Sequence, residues 1–419
     1  MPYNPPTWVN GAAGGTPIDA DALNAMVAGI EDADVRLTAH DAALITKVVK
    51  GDLAINPRDA PYNAVGDGVA NDTAAVRAAF DAANALTRAG LSATIRHPGA
   101  TVVLRGVFNL STLATPIDVT CNVDARDATL LVPAAYAGVA LRVGHPTSGS
   151  ILQAATLNLP DVMKPAASSI VAGSIGIRFQ NLYSSKVQCG RTAYFETGLH
   201  LTGDNQGTVY NEFFIGWISY CKVAILIRPH AAGGWANQNY FTSGGIQQST
   251  GYAGGIRVSG WRHLVLDSNG INTVTGNVFV GVSFEGDVSE YVISLTGAYD
   301  NVWVGCRHEQ GTAGLAVTVS GSTVTSTAHG YAVGDLVTFS ATAAPTGMNL
   351  LTPYYVVTSA ADTFSVSAKR GGTAVTFGSA GTAVIAFRPQ RVVVNNSTAT
   401  SWNNTILYPM TPVFALDLI

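Results

Sequence analysis

Asn277-Val-Phe-Val-Gly-Val-Ser-Phe-Glu285 is followed 24 residues later by Asn301-Val-Trp-Val-Gly-Cys-Arg-His-Glu309, so the chain says nearly the same thing twice. The opening of that phrase recurs upstream as Asn239-Tyr-Phe241, Asn211-Glu-Phe213 and, more loosely, Asn181-Leu-Tyr183. From first to last the spacings are 30, 28, 38 and 24 residues, so each unit keeps its core while its length varies. Self-similarity at such a period signals a solenoid rather than a single globular core. Between the repeats lie short β-type runs broken by Gly, Asn and Ser, with no helical periodicity. The expected fold is therefore all-β, a parallel β-helix whose coils bury their inward side chains against the coils above and below. Two residues past each Asn stand Tyr183, Phe213, Phe241, Phe279 and Trp303, an expected aromatic stack inside the tube. The Asn suits the turn before it, because it tolerates left-handed φ and can bond its neighbours along the axis.

Composition agrees with a buried β body. Of 419 residues, 47% are hydrophobic and only 12% charged, well under the usual quarter, and 44 are Gly. A net charge of −4 gives no reason to expect nucleic acid as a partner. Cys121, Cys189, Cys221 and Cys306 lie far apart without metal-ligand spacing, and the histidines show none either, so no metal or cofactor is expected. The cysteines read as small buried fillers. Apolar runs fall short of the ~18 residues of a membrane span, so no membrane insertion is expected. No charged-then-apolar leader follows Met1, which points to synthesis in a cytoplasm and a surface role gained by assembly.

Residues 1–57 read as an attachment arm and helical stem. A Pro- and Gly-rich start gives way at Asp19 or Asp21, either a plausible N-cap, to a helical pattern. Leu23, Ile30, Leu37 and Leu44 recur every seventh residue, with Met26 and Ala33 at the partner sites before His40 and Lys47 weaken the seam. This pattern fits a short oligomeric coiled coil or a single amphipathic helix lying on the body. Residues 58–314 form the β-helix, opened by a lid. In the segment Tyr62-Asn-Ala-Val-Gly66-Asp67-Gly68-Val-Ala-Asn71-Asp72-Thr73, a tight turn precedes a helix capped by Asn71 or Asp72, with Val76, Phe80, Ala83 and Leu86 on its apolar face. Such a helix would cover the open first edge of the coils. Residues 147–170 show no clear periodicity and read as a lateral excursion, with regular coils from about 175 to 312. Residues 315–388 alternate with period two between hairpin signals, an inserted small antiparallel barrel or sandwich, and 389–419 return to coil-like text.

The Gly66-to-Phe80 segment resembles the start of the pectate-lyase-like superfamily, whose members open with a GDGxxDDTxAxxxAxxxA-like pattern before a right-handed parallel β-helix. Asn71 stands where that family often has Asp, which keeps the capping chemistry and changes the charge. Preceded by a Pro-rich arm and a helical stem, the chain looks like a bacteriophage tail spike or minor tail protein. The resemblance covers about residues 58–110 by motif and the later coils by architecture. The 315–388 pattern is similar to small β modules inserted in phage tail proteins. The resemblance implies a homotrimer on the virion tail, made in the host cytoplasm and acting at the host cell surface. Its implied partners are other tail or baseplate proteins, met through residues 1–50, and a host surface polysaccharide.

Aligned on their Asn, the coils place Gln247, Glu285 and Glu309 in one column. Adjacent coils lie about 4.8 Å apart, so Glu285 and Glu309 are candidate catalytic carboxylates near the separations used by glycosidases. Two like charges so close would raise one pKa, as an acid/base pair requires. Gln247, Trp261, Asp267 and Arg307 are candidate glycan-binding residues, with Asp287 and His308 nearby in sequence. The polygalacturonase-like clusters are absent, so no catalytic residue transfers from that branch. The expectation is a receptor-binding tail spike that recognises a host glycan; the alternative is a polysaccharide depolymerase, hydrolase or lyase, using groove carboxylates. A free secreted pectinolytic enzyme fits less well, given the N-terminal stem and the missing leader.

Overall fold

A computed structural model describes residues 53–88, 94–96, 98–166, 169–230, 233–248, 258–270, 274–286, 289–309, 314–387, 391–395 and 404–407. The arm and heptad helix expected over the first 52 residues lie outside them. Three long parallel sheets form the body. Sheet I has 10 strands, from Leu53–Ile55 to Thr405–Leu407; sheet II has 9, from Asp67–Asn71 to Arg307–Glu309; sheet III has 8, from Ile117–Val119 to Arg391–Asn395. The chain visits them in turn. One rung runs through Tyr240–Thr242 in sheet I, Gly245–Gln248 in sheet II and Val258–Asp267 in sheet III, then re-enters sheet I at Val278–Val280. Every pairing between rungs is parallel, the arrangement of a parallel β-helix with both ends of each strand at a corner.

The interior is a set of columns. In sheet I the register aligns Val102, Val123, Leu157, Val187, Phe213, Phe241, Phe279 and Trp303 on successive rungs. An aliphatic column thus becomes aromatic at Phe213. The rings stack with centroids 5.0, 4.5 and 5.6 Å apart and planes within 11° of parallel, and all four are buried. Each inward side chain finds its apolar neighbours only in the next rungs, so burial requires the stack.

Asn211, Asn239, Asn277, Asn301 and Asn404 form a ladder along the corner before sheet I. Each Nδ2 donates to the next Oδ1 at 3.0–3.1 Å. The same Oδ1 also accepts the backbone N–H of the rung below, at 3.0–3.3 Å. The second Nδ2 proton reaches a backbone carbonyl: Leu182, Thr208, Ala236 and Val274 for the first four. These buried amides are therefore fully bonded, the condition under which a buried polar column stabilises rather than strains. Left-handed φ falls on the residue before the Asn, at Tyr210, Gln238, Gly276 and Asp300 (53 to 65°), and not on the Asn itself. The side chain serves the turn by bonding, not by tolerating its dihedral.

Asn181 and Tyr183 do not belong to these columns. Ser185 occupies the ladder position, its N–H donating to Asn211 Oδ1 at 3.0 Å, and Val187 occupies the aromatic one. Tyr183 lies in a corner strand, edge-on to Tyr210 with centroids 5.3 Å apart. Residues 147–170 differ from expectation as well. Ile151–Gln153, Thr156–Asn158 and Asp161–Met163 are regular rung strands. Three-residue strands are too short to display alternation, which hid them from a periodicity reading.

Helix α1 (Thr73–Arg88) covers the first rungs with Val76, Ala79, Phe80 and Ala83 buried and Leu86 packed against the core. Asn71 Oδ1 accepts from Thr73 N–H and Oγ1–H, while Asp72 turns its carboxylate back to the N–H groups of Val65 and Gly66 at 2.7 and 3.1 Å. The two candidate caps thus divide the work: one holds the helix, the other the turn. Asp67 accepts from Val69 and Ala70 N–H, bonds that hold its carboxyl below the ordinary range. Residues 315–387 close into a six-stranded antiparallel barrel with its own core, including Val324, Val337, Phe339 and Val366. It leaves after Arg307–Glu309 in sheet II, and the chain resumes at Arg391–Asn395 in sheet III. Cys121, Cys189 and Cys221 are buried and unbridged, and burial pushes their thiols up to about 12.

Candidate functional site

Strand alternation sends one side chain in three inward from sheet I and leaves its neighbours outside. Phe213 is buried, so Glu212 and Phe214 face solvent; Phe241 is buried, so Tyr240 and Thr242 face out. After Phe214 the chain turns through Ile215 and Gly216 into sheet II, which begins at Trp217. A Cβ at Gly216 would lie 2.4 Å from the Cys189 carbonyl oxygen, so only glycine lets the corner close this tightly. Phe214 and Trp217 consequently flank one ridge.

Exposed aromatics gather here. Among the described residues, Tyr210, Phe214, Trp217, Trp235 and Tyr240 are exposed, and no other aromatic is. All lie between positions 210 and 240. Phe214, Tyr240 and Trp217 stand on the sheet I and sheet II strands, while Tyr210 and Trp235 lie in the turns that precede sheet I. Sheet I carries a groove of about 510 Å³ here, lined by Lys186, Gln188, Glu212, Phe214, Tyr240 and Thr242. Lys186 and Glu212 approach to 4.0 Å as an exposed pair that orients charge more than it stabilises. Across the ridge, the Trp217 indole lies flat over Gly245, where a Cβ would stand 2.1 Å from a ring carbon. Tyr210 holds a left-handed φ of 56° at a position where later rungs carry Gly276 and Asp300. Gln238 holds the same conformation one rung on, so this φ belongs to the turn before each ladder Asn.

The carboxylate column of the sequence reading falls on the outer face of sheet II. Register aligns Ser219, Gln247, Glu285 and Glu309 on successive rungs. Glu285 accepts from Ser283 Oγ at 2.9 Å, and Arg307 reaches it at 3.9 Å. The Glu309 side chain lies outside the described residues, so only its backbone position is assigned. Gln247, Glu285 and Arg307 therefore share a face with Trp217. Trp261 and Asp267 do not. They belong to the sheet III strand, where Trp261 is 5% exposed and offers solvent no ring face. Asp267 pairs with Arg228 at 3.3 Å and accepts Asn269 N–H at 2.8 Å. Trp303 is inside the tube. Sequence reasoning missed Trp217, Phe214 and Tyr240; the available signal was that Glu212 and Phe214 bracket an inward Phe213. Among the described residues no cluster of His, Cys, Asp or Glu could hold a metal ion, and no helix is long and apolar enough to cross a membrane.

No protein-family model matches the chain, and no curated protein sequence does. Solved structures similar to it include that of Geobacillus virus E2 ORF18, at 11% identity, covering 83% of this chain and 78% of that one with a TM-score of 0.38. The Dettilon tailspike protein is similar at 11% identity, covering 80% of this chain and 94% of that one with a TM-score of 0.25. The A-module of the Azotobacter vinelandii mannuronan C-5 epimerase matches at 13% identity, covering 60% of this chain and 76% of that one with a TM-score of 0.27.

Proposed function

We propose that the protein is the receptor-binding shaft of a phage tail spike, holding a host surface polysaccharide against the ridge between sheets I and II. The observation that carries this reading is the gathering of every exposed aromatic of the described residues between positions 210 and 240. Sugar rings present apolar C–H faces and a rim of hydroxyls. Phe214, Tyr240 and Trp217 supply flat apolar surface, while Lys186, Gln188, Glu212 and Thr242 supply donors and acceptors beside it. That mixture of ring faces with a few convergent polar groups is what a small-molecule site requires. In this reading residues 1–50 attach to other tail proteins, and the spike is a homotrimer. The lid resemblance at residues 58–110 supports the β-helix, and the Pro-rich arm and heptad pattern before it support the phage assignment. Polysaccharides from candidate hosts, immobilised and probed with the purified chain, test it: saturable binding weakened at least tenfold by Trp217→Ala is expected. Binding that survives Trp217→Ala and Tyr240→Ala together would remove the ridge from consideration.

A second reading has its own observation. Glu285 and Glu309 are backbone register partners on adjacent rungs, a spacing that supports their use as the acid and base of a depolymerase. Release of reducing ends or unsaturated uronate, abolished by Glu285→Gln, would establish that reading. Binding without product would establish the first.

A further inference from the structure

The groove on sheet I holds amide groups that the protein itself leaves unused. Two outward columns run along it, rising about 4.8 Å per rung. Thr156, Lys186, Glu212 and Tyr240 form one; Asn158, Gln188, Phe214 and Thr242 form the other. All of them line the cavity of about 510 Å³. In the first column the charges cancel, because Lys186 and Glu212 meet at 4.0 Å. The charged side chain that precedes Asn158 in the second column, Asp124, is held by Arg105 at 2.7 Å and Arg126 at 3.5 Å. Lys186, the cation among the lining residues, is thus already matched, and the groove offers an anionic ligand no net attraction.

Neighbouring amides are spent. The ladder asparagines bond one another and the backbone. Asn122, one rung before Thr156, accepts the Thr156 N–H at 2.9 Å and donates to the Pro98 carbonyl at 2.9 Å. Asn158 and Gln188 differ. They are register partners on adjacent rungs, the spacing at which the ladder amides bond, yet their side chains bond neither each other nor any other group of the described residues. Each therefore presents a carbonyl oxygen and an NH2 group to the groove. Phe214, 50% exposed, follows Gln188 in the same column. Two amides and an apolar ring stand in line along an open trough whose charges are balanced.

We propose that the groove selects a neutral polysaccharide built from acetamido sugars and laid along the tube axis. The inference rests on the reading of the ridge as a glycan site. An acetamido group carries a carbonyl, an N–H and a methyl. The Gln188 amide can donate to that carbonyl and accept from that N–H, with Asn158 repeating the contact one rung away. The methyl then lies against Phe214. A plain hydroxyl in the same place brings no methyl and leaves the Phe214 ring in water. A carboxylate brings no donor for the amide oxygens, and it gives up hydration with no free cation to replace it.

Calorimetric titration of the full chain with the β-linked hexamers of N-acetylglucosamine, glucose and glucuronate tests the proposal. The N-acetylglucosamine hexamer should bind about tenfold more tightly than either of the others, the return on one or two net hydrogen bonds. Gln188→Leu, which keeps the size and removes the amide, should bring the two neutral hexamers to equal affinity with an unchanged melting curve. Asn158→Ala should narrow the gap without closing it. Tyr240→Ala should weaken both neutral hexamers alike and leave their ratio intact, since it removes stacking surface and no amide. Equal binding of the two neutral hexamers, tighter binding of glucuronate, or a preference that survives Gln188→Leu would each overturn the inference. If the neutral hexamers bind equally and Tyr240→Ala weakens both, the ridge stands as a glycan site without the acetamido preference. If neither binds, the acetamido class is wrong, and the ridge itself falls only if host polysaccharides fail to bind as well.

Discussion

The two faces of sheet I obey different rules along the same strands. Facing in, the rungs carry Phe213, Phe241, Phe279 and Trp303, one ring laid on the next. Facing out at the equivalent flanking positions they carry Glu212, Tyr240, Val278 and Val302, then Phe214, Thr242, Val280 and Val304, which repeat only in the last two rungs and not between 210 and 242. The inward face must match itself at each rung, because each ring stacks on its counterpart in the next rung. The outward face has no such partner and is free to vary. Repetition is therefore the mark of architecture here, and its loss between positions 210 and 240 is the mark of a surface that meets something else.

The largest effect that would test this contrast is on the ladder. Asn239→Ala strips Asn211 of the acceptor for its N–H and Nδ2, leaves the Thr208 carbonyl without its amide partner, and leaves Asn277 Oδ1 with only the backbone N–H of residue 239 as donor from that rung. With buried unsatisfied groups at roughly 1–3 kcal/mol each, a loss of about 4 kcal/mol or more is expected in urea unfolding. Loss below about 1 kcal/mol would mean that the ladder decorates the fold and does not hold it. Next comes a pair of neighbours on one strand. Phe241→Ala empties a fully buried ring position and should cost about 3–5 kcal/mol. Tyr240→Ala, one residue away and 42% exposed, should shift stability by no more than about 0.5 kcal/mol while weakening glycan binding about tenfold. If both variants lose stability equally, the distinction between the faces fails.

The inward half of this contrast was legible in the chain and the outward half was not. Asn211, Asn239, Asn277 and Asn301 announce themselves because each must bond its copies, and alignment on them also placed Gln247, Glu285 and Glu309 in their true register. Asn181 misled because its triplet matches in letters while its side chain serves a different loop, bonding the Thr147 carbonyl and Asp204 N–H. Trp261 was chosen over Trp217 for a comparable reason. Its strand is irregular in register between Val258 and Arg262, so counting residues does not say which way its ring points. Trp217 faces out because Ile218 faces in, a fact carried by only three residues of strand. The rung strands between residues 151 and 163 escape a reading of the sequence because they are equally short. The lid was legible because a capped amphipathic helix signals locally, through Asn71 and Asp72 at one end and Val76 and Phe80 along its face.

One interior residue departs from the rule and sharpens it. Lys164 is 1% exposed, with Nζ donating to the Tyr136 carbonyl at 2.7 Å and lying 5.3 Å from the Phe195 ring centre. Burial pulls its pKa down to about 8 from 10.5. Between those values the unfolded chain holds the proton more firmly than the folded one, so this group's contribution to stability improves as pH rises from about 8 toward 10.5. Below about 8 the folded state carries the full penalty of a buried charge, partly offset by the carbonyl and the ring. Lys164→Met should thus be more stable than the wild type at pH 7, and the gap should narrow as pH rises. The buried thiols act in the opposite direction over the same range, so the difference between the two proteins is the quantity to follow. A gap constant with pH would mean that folding leaves the Lys164 pKa at its unfolded value and that burial does not act on its charge.

The smallest expected effect tests the outer face alone. Gly245 lies beneath the Trp217 indole, and a Cβ there would come within 2.1 Å of a ring carbon. Its backbone is ordinary strand, so Gly245→Ala meets no dihedral strain and must instead move the far end of a side chain that is 36% exposed. The ring can swing toward solvent, and the core beneath it, Ile218 and Ile246, is untouched. Stability should change by no more than about 0.5 kcal/mol. Glycan binding should weaken severalfold, less than in Trp217→Ala, because the indole is displaced and not removed. Were binding unchanged in Gly245→Ala but lost in Trp217→Ala, the indole would act by its bulk in any orientation, and the flat placement over glycine would be an accident of packing. A graded loss across the two variants would tie recognition to the orientation of one ring, held by the absence of one methyl group on the next rung.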